Sequence, residues 1–177
     1  GDPMWRGGLS APASMFIHAD RPMISENATS SLLHEVVHTA MPINTREGYD
    51  WIAEGLAEYY SIELLRRGRA ITEERAVFAF ERQAEWSMDA GSLCRDSSTG
   101  PTTALAVTLF KRLNDEISRE SNAAASLDSL LPYLAGEDID AAALAAAVER
   151  VIDSVPDALH IDNLPGCLNI APGTAEN

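Results

Sequence analysis

The amino-acid sequence predicts a single α+β domain that is predominantly α-helical. Its 177 residues fall within the usual size of one domain. Apolar residues recur at helical spacing, between start and stop signals, from residue 27 to residue 155. The alternation that is typical of a β-strand occurs near the N-terminus. We therefore divide the chain into a strand-bearing segment (1–26), two helices (27–68), a further helical part (69–155) and a loop-like tail (156–177).

The N-terminal segment contains one predicted strand, "SMFIHADRP". Met15, Ile17 and Ala19 would lie on one face of this strand, and the side chains between them on the other. Pro22 indicates an edge strand or the end of the strand, because proline has no backbone N–H to donate to a neighbouring strand.

Two helices are predicted next. The first lies in "SENATSSLLHEVVHTAM" and begins at about Asn27, with Ser25 or Asn27 as its cap, and Pro42 ends it. A polar loop leads to the second, "WIAEGLAEYYSIELLRR", which we expect to follow an Asp50 cap and to end at Gly68.

Four more helices are predicted after Gly68. Thr72 is the expected cap of a helix that runs to about Met88, and Pro101 suits the first turn of the helix "TTALAVTLFKRLNDEISRE". Two shorter helices are expected at 126–134 and 140–152.

The charge and hydropathy of the chain argue against two kinds of partner. The net charge of −14, a pI near 4.5 and a single lysine, Lys111, do not suit a nucleic-acid backbone, which requires clustered basic side chains. No run of about 18 apolar residues is present, so we predict no membrane span. The chain lacks an initiating methionine, which leaves an upstream domain as an open alternative.

The stretch "LLHEVVHTA" places His34 and His38 four residues apart on the first helix. These positions face the same side of an α-helix, one turn apart, so both imidazoles can bind one Zn²⁺ ion. Glu35 lies too far round the helix to be a third ligand but can reach a water molecule on the metal. The HExxH pattern therefore predicts a zinc hydrolase. The alternative is an amphipathic helix whose histidines are satisfied by hydrogen bonds.

The second helix carries Glu54 and Glu58 in "DWIAEGLAEYY", where the sequence resembles the gluzincin metallopeptidases. In that clan a helix with a glutamate ligand, in a W-x-x-E-G-x-A-E-Y setting, follows the HExxH helix. The resemblance implies that Glu54 is the third zinc ligand and that Glu58, one turn later, orients His34. A solvated carboxylate is the alternative for Glu58. Gly55 would let the two zinc-site helices (27–68) approach closely.

Within the clan, residues 28–152 look most like glycyl-aminopeptidase and related aminopeptidase catalytic domains. The resemblance implies a zincin-like fold and a zinc-dependent metallopeptidase. Its substrate would be a peptide or protein, and Glu35 would be the general base. Two alternatives stay open: a zinc-binding scaffold domain with weak or no catalysis, and an amidase or esterase with the same mechanism.

The sequence departs from the aminopeptidase pattern in three places. The loop between the zinc-site helices is shorter. The segment "RGGLSAPAS" lacks the glutamate that binds the substrate's amino group, so the strand after it either aligns a peptide by strand addition or is purely structural. No tyrosine for the oxyanion occurs in "SSTGPTTAL". Tyr49, Tyr59, Tyr60 and His160 are the remaining candidates, although each is typical of packing or of the surface.

The two cysteines, Cys94 and Cys167, lie 73 positions apart in predicted loops. One disulfide and two free thiols are both compatible with this spacing, and we expect the disulfide. Because similar peptidases are often secreted, the resemblance implies a bacterial periplasmic or secreted protein. The cytoplasm is the alternative.

Overall fold

The computed structural model describes residues 8–11, 14–18, 20, 22–95, 97–136 and 138–167. These residues are mostly helical and include two small two-stranded sheets, which confirms the predominantly helical α+β class. Within them we find no helix that is both long and apolar enough to cross a membrane.

An antiparallel hairpin of β1 (Gly8–Ala11) and β2 (Ser14–Ile17) packs against helix α1 (Ser31–Ala40). Strand β2 lies where the sequence predicted a strand, whereas β1 was not predicted. Met15 and Phe16 are 40% and 54% exposed, so the alternation along β2 does not mark a buried face. Ala19 lies outside the described residues.

Helix α1 begins later than predicted. Its N-cap is Ser30, whose hydroxyl accepts a backbone N–H of the first turn at 3.3 Å, and not Ser25 or Asn27. Ser25 closes a separate turn, in which its hydroxyl accepts the N–H of Thr29 at 3.1 Å. Ala28 has a φ of 58°, which interrupts a helix at that position.

Helix α2 (Trp51–Arg67) is the most buried helix and contacts α1, α3 (Glu73–Ser87) and α4 (Pro101–Glu120). It ends at Gly68, as predicted. The expected Asp50 cap was wrong, because Asp50 itself has helical backbone angles. Its carboxylate accepts the backbone N–H of Ser98 at 2.8 Å instead of an N–H of the helix.

Gly55 faces α4. A Cβ at this position would lie 2.5 Å from the Ala106 Cβ and 3.0 Å from the Phe110 ring. Consecutive helical residues point about 100° apart, so Gly55 does not share the direction of Glu54. The expectation that this glycine brings the two zinc-site helices together was wrong, because the close approach is between α2 and α4.

The remaining helices agree closely with the sequence prediction. Thr72 caps α3, and Pro101 is the first residue of α4. The predicted helix at 126–134 divides into a 3₁₀ turn (Leu127–Leu130) and α5 (Leu131–Leu134). Asp140 caps α6 (Ala141–Ile152), and the tail contains the 3₁₀ turns Asp157–Leu159 and Ile161–Asn163.

A parallel strand pair joins two distant parts of the chain. β3 (Asn44–Thr45), in the loop between α1 and α2, pairs with β4 (Asp138–Ile139). Arg46 and Asp140 form an ion pair at 2.8 Å beside it. The sequence predicted neither strand.

A disulfide joins Cys94 to Cys167, with their Cα atoms 4.9 Å apart, which confirms the expected pairing. It ties the tail to the loop between α3 and α4. The same loop contains Ser98, which donates to Asp50 at the start of α2. The disulfide therefore lies in the loop that contacts the N-terminal end of α2.

Candidate metal centre

Two imidazoles and one carboxylate converge between α1 and α2. The Nε2 atoms of His34 and His38 are 3.1 Å apart, and each lies 3.2 Å from one oxygen of Glu54. The spacing of the histidines along α1 brings their rings together, and packing against α2 supplies the carboxylate. The three side chains form a group that could hold a metal ion.

The separations of these donor atoms suit zinc. Three N or O ligands at tetrahedral positions about 2.0–2.1 Å from a zinc ion are about 3.3 Å from one another. The observed separations of 3.1 and 3.2 Å are close to that value. The three side chains are only 17–29% exposed, so the donor set is partly enclosed but reachable from solvent.

Glu58 lies on the other side of the His34 ring. Its Oε2 atom is 3.1 Å from His34 Nδ1, and its side chain is 19% exposed. A carboxylate only accepts, so Nδ1 carries the proton and donates it, while Nε2 faces Glu54 and His38. A metal-binding histidine commonly has this carboxylate partner, which fixes the ring and its tautomer.

The two carboxylates make the His34 ring a favourable place for positive charge. Burial alone lowers the pKa of His34, but the hydrogen bonds with Glu54 and Glu58 outweigh burial and raise it to about 10. Burial alone raises the pKa of Glu54, whereas its hydrogen bonds with His34 and His38 lower it to about 2. The same field would favour a cation held by these three side chains.

Glu35 follows His34 on α1 and is 7% exposed. Among the described residues, no donor is hydrogen-bonded to its carboxylate, which can therefore accept from a water molecule. The contact found at this residue is to its backbone carbonyl, which accepts from the Thr39 hydroxyl at 3.0 Å within α1.

Of the four residues suggested as oxyanion donors, three lie in surroundings that do not suit this role. The Tyr60 hydroxyl donates to Asp128 at 2.9 Å. Tyr59 is 1% exposed within the core, and His160 is exposed in the tail. Tyr49, which is half-buried just before α2, stays a candidate.

Gln83, on α3, was not predicted as a site residue from the sequence. Its Nε2 atom donates to Glu58 Oε1 at 3.4 Å, and the residue is 7% exposed. A signal for it exists in the sequence, because Gln83 continues the buried stripe of Ala76 and Ala79 at helical spacing. A polar residue on such a stripe needs a polar partner.

Comparisons with protein-family models, with curated proteins and with solved structures find no match for this chain. Its class is therefore defined by the fold and the cluster alone: a mostly helical α+β protein with a candidate three-ligand metal centre between its first two helices.

Proposed function

We propose that this protein is a zinc-dependent metallopeptidase. The observation that carries the proposal is the convergence of His34 and His38 of α1 with Glu54 of α2, whose donor atoms lie 3.1–3.2 Å apart. Helix α1 also bears Glu35. We also propose that its fold is zincin-like, as the sequence resemblance implies.

Each residue of the centre has a separate task. His34, His38 and Glu54 would hold a zinc ion, and Glu58 keeps the His34 ring in the tautomer that presents Nε2. A zinc ion held there would act as a Lewis acid that acidifies water and polarises a carbonyl group. Glu35 takes the proton of the attacking water on its carboxylate and then gives it to the leaving amine. Its burial shields this proton from bulk solvent.

The hairpin beside α1 supports the proposal that the substrate is a peptide. Strand β2 belongs to a two-stranded sheet, so one of its edges has no partner strand within the described residues. An extended peptide can add to such an edge by backbone hydrogen bonds. Since the amine-binding glutamate of the aminopeptidase pattern is missing, we propose cleavage within peptides rather than removal of N-terminal residues.

A zinc-binding domain without catalysis is the second candidate. The observation in its favour is that Tyr60 is bonded to Asp128 and Tyr59 is buried, so neither is placed to stabilise an oxyanion. The intact Glu35 favours the peptidase, because a domain that only binds zinc needs no base beside the metal.

The disulfide supports an oxidising compartment, which we propose is the bacterial periplasm or the medium. Structural disulfides are rare in cytosolic proteins because thiols are kept reduced there.

A mixed peptide library incubated with the zinc-loaded protein tests the function directly. We expect internal cuts that disappear when a chelator removes the metal and return when zinc is added. Release of single N-terminal residues would contradict the proposed internal cleavage, and zinc binding without turnover would favour the second candidate.

A further inference from the structure

We propose that Gln83 is a positioning residue for the metal centre: it holds the Glu58 carboxylate in the orientation that Glu58 needs to hold His34. The inference rests on the proposed zinc site but not on peptide hydrolysis. It links α3 to a centre whose other residues all come from α1 and α2.

The contact is a partly buried polar pair. Gln83 is 7% exposed and the Glu58 side chain is 19% exposed, so the hydrogen bond to Glu58 replaces part of the hydration that the amide loses on burial. Because a carboxylate has no proton to give, Nε2 is the atom of Gln83 that bonds to Glu58 Oε1, at 3.4 Å.

The two oxygens of Glu58 are bound by different groups. Oε2 accepts from His34 Nδ1 at 3.1 Å. Ser61 lies near the same oxygen, at 3.4 Å, but its hydroxyl donates at 2.9 Å to the backbone carbonyl of Glu58. Oε1 accepts from Gln83. Among the described residues, Gln83 is thus the donor that fixes the second oxygen and hence the rotation of the carboxylate.

Both residues of this contact border open space. Glu58 and Gln83 line a cavity of about 450 Å³ together with Arg82 and Trp86 of α3. Water in the cavity would compete for Oε1 if the amide were removed, and the carboxylate could then turn away from His34. The amide of Gln83 occupies the position from which such water would bind.

The expected effect is moderate. Removing the carboxylate partner of a metal-binding histidine typically weakens metal binding about 10–100-fold. Gln83 is separated from the metal by one more hydrogen bond than Glu58 is. Its 3.4 Å contact with Glu58 is also long for an N–H···O bond. We therefore expect Gln83→Met, which retains the size of the side chain but not its donor, to weaken zinc binding by roughly 3–10-fold.

A double-mutant cycle separates positioning from packing. Zinc affinity is measured by competition with a chromophoric chelator for the wild type, Gln83→Met, Glu58→Ala and the double variant. If Gln83 acts through Glu58, Gln83→Met weakens zinc binding in the wild-type background and has no further effect beside Glu58→Ala. Equal losses in both backgrounds, or no loss in either, would overturn the proposal.

Arg82→Met is the matched control. Arg82 lines the same cavity on the same helix, but its guanidinium pairs with Glu85. We expect unchanged zinc affinity, and a loss equal to that of Gln83→Met would overturn the specific role of Gln83. Thermal unfolding of each metal-free variant establishes that it folds, and Gln83→Leu replaces Gln83→Met in the cycle if the latter does not.

The cycle also distinguishes this inference from the proposed function. A wild-type protein that binds zinc but cleaves no peptide overturns the peptidase and leaves the cycle to decide on Gln83. A wild-type protein that binds no zinc overturns both proposals.

Discussion

At the scale of single residues, Glu54 and Glu58 are identical side chains one helical turn apart, but they contact different atoms of the two histidines. Glu54 faces the Nε2 atoms of both histidines, whereas Glu58 faces Nδ1 of His34 alone. The difference follows from their places along α2 relative to α1. It makes the two carboxylates unequal in their expected effect on zinc binding.

Glu54→Ala should nearly eliminate zinc binding, because it removes a ligand. Glu58→Ala should weaken it about 10–100-fold, because it removes only the partner that orients a ligand. Competition with a chelator gives both affinities. A zinc-free Glu58→Ala beside a normal Glu54→Ala would mean that the ligand assignment is wrong by one turn of α2.

Gly55→Ala should lower the free energy of unfolding by about 1–2 kcal/mol. Overpacking typically costs about 1–3 kcal/mol, and we expect about 2–3 kcal/mol at so close a contact, of which the better helix propensity of alanine offsets about 1 kcal/mol. The cause is the 2.5 Å approach that a Cβ would make to Ala106. Urea unfolding of the metal-free protein measures the change. Gly91→Ala is the control, since a Cβ there meets nothing within 4 Å, and equal stability of the two variants would contradict the packing of α2 on α4.

At the scale of elements, helices were predictable where their signals are local. Thr72, Pro101 and Asp140 act at the helix starts where the sequence places them. The start of α1 was not predictable, because "SENATSS" contains several potential caps and tertiary contacts select among them. Strands β3 and β4 were missed for a related reason: each has two residues, and its partner is more than 90 positions away.

The candidate metal centre shows the same division between local and non-local information. The histidines of α1 were predicted from their spacing of one helical turn, whereas the roles of Glu54 and Glu58 were implied by the resemblance to the gluzincin motif. The direction of Gly55 and the contact of Gln83 with Glu58 depend on how α3 and α4 pack on α2, and no local pattern states that.

Ser30→Ala tests the observed start of α1. Loss of an N-cap hydroxyl typically costs about 0.5–2 kcal/mol. We expect a decrease of about 1 kcal/mol in the free energy of unfolding, because Ser30 is 2% exposed and accepts a backbone N–H. Asn27→Ala, at the exposed position that the sequence suggested as a cap, should change it little. A larger loss of stability in Asn27→Ala than in Ser30→Ala, measured by urea unfolding, would indicate that α1 begins at Asn27.

At the scale of the whole molecule, the disulfide closes a long loop that contains α4, α5 and α6. It also fixes the loop whose Ser98 supports the start of α2. The disulfide thus holds the loop that contacts the start of α2, the helix that carries Glu54.

Replacing both Cys94 and Cys167 by alanine should lower the free energy of unfolding by about 4 kcal/mol, from the entropy of the unfolded chain that the closed loop removes. Urea unfolding of the oxidised wild type and of the double variant gives the difference.

Thiol titration of the unfolded, unreduced protein should find no free thiol. Two titratable thiols would contradict the proposed oxidising compartment.

We propose that zinc and Glu35 together hydrolyse peptide bonds, and Glu35→Gln is the variant that isolates the part of Glu35. The amide retains the shape of the side chain and lies outside the proposed ligand set, but it cannot take the proton of the attacking water. Zinc content and peptide cleavage are measured on the same preparation. We expect Glu35→Gln to bind zinc as the wild type does and to cleave no peptide. Cleavage at the wild-type rate with zinc bound would show that Glu35 is not the general base.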